Sequence, residues 1–76
     1  MFRLEPQEIF NDAILRTDDD EVIYSYELLI EVLIEVYMRG DEDLDRDEAY
    51  IIALDDINFN IIPLVSNRED VSVEYS

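Results

Sequence analysis

Apolar residues fall into short runs along the chain, broken by acidic segments. The longest run with a helical period is Ser25–Arg39, closed by Gly40. At 100° per residue, Glu27, Glu31 and Glu35 share one face, and Tyr26, Leu29, Leu33, Val36 and Tyr37 lie opposite. Leu28 and Val32 flank one side, Ile30 and Ile34 the other. The apolar arc covers most of the circumference, and a helix of that kind is usually buried. The Ser25 hydroxyl can accept an amide at the helix start. Gly40 is placed to end the helix in the left-handed conformation, with Arg39 beside the negative end of the dipole.

The rest of the chain is read around that helix. Pro6 suits the first turn of a short N-terminal helix in residues 1–12, from which Ile9 and Phe10 point inward. Ala13–Arg16 and Glu21–Tyr24, separated by the polar cluster Thr17–Asp20, predict a β-hairpin with a four-residue turn. The competing reading extends the central helix backward from Asp20. Asp45 and Glu48 form a capping pair before an apolar run, predicting a second helix from Arg46 to about Asn58. Tyr50, Ile51, Leu54 and Ile57 recur there at helical spacing. Ile61–Val65 contains Pro63 and is expected as an edge strand or extended segment. Val71, Val73 and Tyr75 alternate with polar residues, as a terminal strand with one buried face does. The expected fold is a single small acidic α+β domain over residues 1–76. In it, two packed helices lie against a short, mostly antiparallel sheet made of the hairpin and the C-terminal strand.

Charge changes the picture most. The 76 residues carry 21 acidic side chains against 5 basic ones, all arginine, for a formal net charge of -16. Such a chain is repelled by nucleic acid and by anionic membranes, and the partner it suits is a basic protein surface. Disorder also follows from high net charge, but 49% hydrophobic content in periodic runs argues for a fold. No run reaches the ~18 apolar residues of a membrane span, and residues 1–5 hold no apolar signal core. With no His, no Cys and one Gly, the commonest general base, thiolate metal sites and glycine-rich phosphate loops are all missing. No catalytic constellation stands out, so the expectation is a protein that is not an enzyme and uses no cofactor.

Three acidic groups are candidate partner-binding sites. Glu27, Glu31 and Glu35 rise ~6 Å apart along one helix face. As like charges at four-residue spacing they cost an isolated helix about 0.2–0.5 kcal/mol per pair. Asp18, Asp19 and Asp20 project from the hairpin tip. Asp41, Asp43, Asp45 and Asp47 alternate through the interhelical segment. The last group has the rhythm of a calcium loop, but Arg46 stands where the turn glycine belongs and Ile52 where the bidentate glutamate belongs. No metal site is therefore assigned. Each group also has a plainer reading as a solvated surface. On the apolar side, Ile30, Ile34 and Tyr37 are the candidate interface if the central helix is not covered within one chain. Homodimerisation is the form that contact would take.

Asn11–Leu15, Val22–Glu27, the Leu/Ile/Glu helix and Ala53–Ile61 together resemble a set of small acidic bacteriophage proteins. The shared features are a Tyr-x-Tyr helix start, here Tyr24 and Tyr26, and a second helix ending aromatic-Asn-Ile, here Phe59, Asn60 and Ile61. The likeness covers about residues 11–62. It departs between the helices, where a longer acidic segment replaces a short Asp-Gly-Met turn. The resemblance implies phage origin, a place in the cytoplasm of an infected bacterium, and no catalytic residues. Small acidic phage proteins include anti-restriction and anti-CRISPR inhibitors that mimic DNA. By that analogy of class, the expected function is inhibition of a host defence or DNA-metabolism protein through its basic nucleic-acid-binding surface. The alternative is a structural or assembly protein acting through homodimerisation or helix docking, with the acids serving solubility alone.

Overall fold

The chain changes character at Ser25. In a computed structural model that describes residues 2–75, strands β1 (Ile14–Asp18) and β2 (Glu21–Ser25) form a hairpin that runs directly into helix α2 (Tyr26–Gly40). The Ser25 hydroxyl accepts the amide of Leu28 at 3.3 Å, as the sequence predicts. Before the hairpin come a one-turn helix α1 (Gln7–Phe10) and a 3-10 turn (Asn11–Ala13). The arm ahead of α1 is pinned where the amide of Leu4 donates to the buried Tyr24 hydroxyl at 2.9 Å.

The hairpin is tighter than its composition suggests. Asp18 pairs with Glu21, so the turn has two residues, Asp19 and Asp20, rather than four. Asp19 takes a positive φ of 51°, which the short polar Asp side chain tolerates. A register shift between Ile14 and Arg16 leaves Leu15 as an extra residue on β1. The sheet order is β1-β2-β3, with β1 antiparallel to β2 and β3 (Val71–Glu74) parallel to it. The sheet is thus mixed, because β3 enters from the far end of the helical layer. Val22 and Tyr24 face the core. Ile23 lies on the other face, opposite Arg16 and Ser72. There an Arg16–Glu74 ion pair joins the two outer strands across β2.

Helix α2 is a core element. Leu29, Ile30, Leu33 and Ile34 are buried, and Val32, Val36 and Tyr37 half-buried. Each fully buried Leu or Ile side chain contributes about 1.5–3 kcal/mol relative to exposure. The predicted interface of Ile30, Ile34 and Tyr37 is therefore not on the surface. Ile30 and Ile34 are 7% and 2% exposed, and the Tyr37 hydroxyl is held within the chain. Gly40 also departs from expectation. It is the last residue of α2, without positive φ, and Asp41 ends the helix in an extended conformation. The reversal is made by the Asp41 carboxylate, which accepts the amide of Asp43 at 3.0 Å, so no left-handed glycine is needed.

The second helix starts as predicted, with Asp45 accepting the amide of Glu48 at 2.9 Å, but it does not stop near Asn58. Helix α3 (Arg46–Asp56) passes through a widened turn (Ile57–Ile61) into α4 (Ile62–Ser66) without a break. The expected edge strand at Ile61–Val65 is helical instead. In an unbroken α-helix the Pro63 ring would strike the carbonyl of Phe59, four residues back. The widened turn, in which Ile62 donates to Ile57, lies over that position and removes the conflict.

Of the predicted row Tyr50, Ile51, Leu54 and Ile57, only Ile57 is buried. Ala49, Ala53, Ile57, Ile61 and Val65 form the inner row, while Tyr50 and Ile51 are exposed and Leu54 half-buried. Small alanines let α3 come close to α2, whereas a row led by Tyr50 and Ile51 would hold it away. Tyr26 and Tyr37 stand ~16 Å apart along α2. Yet they bond to Asn58 and Asp56, two residues apart on the second helix. The second helix therefore crosses α2 steeply.

Candidate acidic interface

Four of the five arginines are consumed inside the molecule. Arg16 pairs with Glu74, Arg39 with Glu35, Arg46 with Glu31 and Arg68 with Asp70. Arg3 donates to the Asn11 side chain at 3.4 Å. The other carboxylates are in no ion pair among the described residues, and they divide into patches of different quality.

The α2 ladder is the more compensated patch. Glu27, Glu31 and Glu35 are all exposed on one face, as predicted. Glu31, however, takes Arg46 Nη2 on both oxygens, at 2.8 and 2.9 Å, and Glu35 is bridged by Arg39. Of the three, only Glu27 is in no ion pair among the described residues. An open groove of about 520 Å³ runs along this face, lined by Asp12, Glu31 and Glu35 with Arg39 and Arg46 at its edge. Glu8 and Asp12 approach Glu35 from the N-terminal turns. These two neighbours carry no signal in the sequence, because the turn that delivers them is set by packing against α2. Reading Arg39 against the helix dipole alone misses the Glu35–Arg39 bridge, although its i,i+4 spacing is a signal in the sequence. The Glu31–Arg46 bridge, between different helices, has no such signal.

The hairpin tip is the less compensated patch. Asp18, Asp19, Asp20 and Glu21 line an open depression of about 460 Å³ together with Glu69 and Asp70 from the turn before β3. Arg16 attracts Asp18 and Glu21 through its charge without pairing with either, and of these six Asp70 alone is in an ion pair among the described residues. Arg68 Nε and Nη2 each meet one of its oxygens at 2.9 Å, which holds the Asp70 carboxyl below its ordinary value. Glu74 is held low in the same way by Arg16. Parallel pairing of β3 with β2 brings Glu69 and Asp70 to the tip, where the Asp70 carbonyl accepts the amide of Val22 at 3.0 Å.

The interhelical acids divide by task. Asp41 makes the turn after α2 and Asp45 caps α3. Asp43 and Asp47 are exposed and in no ion pair among the described residues. Among those residues no three His, Cys, Asp or Glu side chains converge where a metal ion could sit. Asp56 lies where α3 passes into the widened turn, inside the continuous helix. It accepts the Tyr37 hydroxyl at 2.8 Å and the Asn60 amide at 2.7 Å. Burial, then the bond to Asp56 and its charge, push the Tyr37 hydroxyl up to about 12.

Leu15 on β1, Leu28 and Met38 on α2 and Tyr75 are exposed, but most of the exposed large apolar side chains lie on the second helix. Ile51, Ile52 and Phe59 are 59%, 43% and 75% exposed. At 21 residues, Arg46–Ser66 is long and apolar enough to cross a bilayer by length and composition, although Asp55 and Asp56 stand mid-way along it. No family model, curated protein or solved structure matches the chain.

Proposed function

We propose that the protein is a phage-encoded, non-enzymatic inhibitor that binds a basic, nucleic-acid-binding surface of a host defence or DNA-metabolism protein and keeps nucleic acid out of it. The supporting observation is the distribution of charge. With four of five arginines spent on internal pairs, Asp18, Asp19, Asp20, Glu21 and Glu69 line the hairpin-tip depression and are in no ion pair among the described residues. Duplex DNA carries one charge per ~3.4 Å of each strand, and clustered carboxylates on a folded scaffold offer a basic groove a comparable field. Long-range attraction speeds encounter, and closer apolar and tyrosine contacts set specificity.

The test is a pull-down from bacterial lysate at low and high salt, with and without duplex DNA. Capture that weakens at high salt and is displaced by DNA is the expected result. Capture indifferent to both overturns the proposal. The second reading, a structural or assembly protein that docks or dimerises through an apolar helix face, is favoured by the exposure of Ile51, Ile52 and Phe59. Substituting Asp18, Asp19 and Asp20 by Asn separates the two, since binding weakens under the first and is unchanged under the second.

A further inference from the structure

The helix Arg46–Ser66 carries two rows at four-residue spacing. Ala49, Ala53, Ile57 and Ile61 are buried. Two residues on from each, and so ~200° round the helix, stand Ile51, Asp55, Phe59 and Pro63, all exposed. A four-residue step overshoots an α-turn, and the wider winding at Ile57–Ile61 takes part of that drift back. The outer row stays on one side for that reason. Ile52 adjoins it, and Glu48 precedes Ile52 by one turn. The stripe is thus an apolar line of Ile51, Ile52 and Phe59 with carboxylates at Glu48 and Asp55. It has no arginine, because Arg46 is turned to Glu31 on α2.

We infer that this outer stripe is the docking surface for a basic amphipathic partner segment, one that lays an apolar face on Ile51, Ile52 and Phe59 and reaches Glu48 and Asp55 with Lys or Arg. The inference rests on the proposed reading that the partner is basic, and adds where its apolar contact falls. Charge decides between occupants. A second copy of this chain would bring Asp55 and Glu48 against their own equivalents, with -16 on each molecule. A bilayer would have to take Asp55 at the centre of the stripe, at about 2.5–3.5 kcal/mol for a charge deep in the hydrocarbon. A cationic amphipathic helix meets neither obstacle.

The experiment titrates the intact protein with a synthetic peptide of Leu and Lys at amphipathic helical spacing. The comparison is a scrambled peptide of the same composition, at low and at high salt. Binding of the amphipathic peptide at least tenfold tighter than the scrambled one, with a tenfold loss in Ile51→Ser/Phe59→Ser, is expected. Both positions are exposed, so the variant should keep the parent's urea midpoint. If the two peptides bind equally while binding still falls with salt, the stripe is overturned and the charge reading stands. If neither peptide binds at low salt, both fail. Concentration-dependent dimerisation lost in Ile51→Ser/Phe59→Ser overturns the inference in favour of a second copy. Binding to phosphatidylcholine vesicles lost in the same variant overturns it in favour of a membrane.

Discussion

Helix α2 and the helix Arg46–Ser66 relate sequence to burial in opposite ways. The first has Leu, Ile or Val at seven of its 15 positions and three glutamates on a narrow face; the second mixes alanines, carboxylates and asparagines with its apolar residues. Composition therefore suggests that α2 has apolar surface to spare. The molecule does the reverse. α2 lies between the N-terminal turns and the crossing helix, with Leu29, Ile30, Leu33 and Ile34 buried. The second helix buries its small residues and leaves Ile51, Ile52 and Phe59 outside. What decides is how closely backbones approach. An alanine row permits a tight steep crossing, and large side chains on other faces of the same helix are then left without cover.

The largest expected contrast comes from truncating one apolar side chain on each helix. Leu29→Ala should cost about 2–5 kcal/mol, a large share of what a domain of this size holds. Phe59→Ala should stay within ~0.5 kcal/mol. Urea denaturation of the two variants checks this, and equal losses would break the comparison. Enlarging the inner row comes next. Ala53→Leu should cost about 1–3 kcal/mol by forcing the helices apart, while Ile51→Leu should leave the midpoint where it was.

Tyr37→Phe removes the bond that ties the two helices through Asp56 and should cost about 1 kcal/mol. Its pH signature has a defined sign. The folded-state value, about 12, is raised above the ordinary 10.0. The contribution is therefore fully present below pH 10 and is lost as pH rises through 12. A tyrosinate absorbance titration should show one late-titrating group that vanishes in Tyr37→Phe. The smallest effect is expected on the acidic face of α2. Glu31→Gln breaks an exposed pair with Arg46 and should cost at most ~1 kcal/mol, less at high salt. A larger or salt-independent loss would mean that this face is structural.

Much of the fold was legible because its signals are local. Ser25 and Asp45 cap their helices by side-chain chemistry that acts over three residues. The hairpin followed from β-formers around an aspartate cluster. The α+β architecture, with two packed helices on a hairpin and a terminal strand, followed from those elements in order. What failed to show depends on distant partners. Pro63 signalled a break, yet a widened turn absorbed it inside a helix. Gly40 signalled a left-handed stop, and the Asp41 side chain made the turn instead. The three predicted acidic groups are all on the surface, but the sequence could not rank them. The ranking came from which arginine folds onto which carboxylate, and from Glu69 and Asp70 arriving at the hairpin tip through the pairing of β3 with β2.

The most direct test of charge-led recognition is the salt dependence of binding to whatever protein the molecule captures from bacterial lysate. Parent protein and the Asp18→Asn/Asp19→Asn/Asp20→Asn variant would be measured side by side. The parent's affinity should fall at least tenfold between ~50 mM and ~200 mM salt, as charge-led contacts do, and the variant should bind more weakly with a flatter slope. Equal affinities for the two proteins, unchanged across that range, would contradict it.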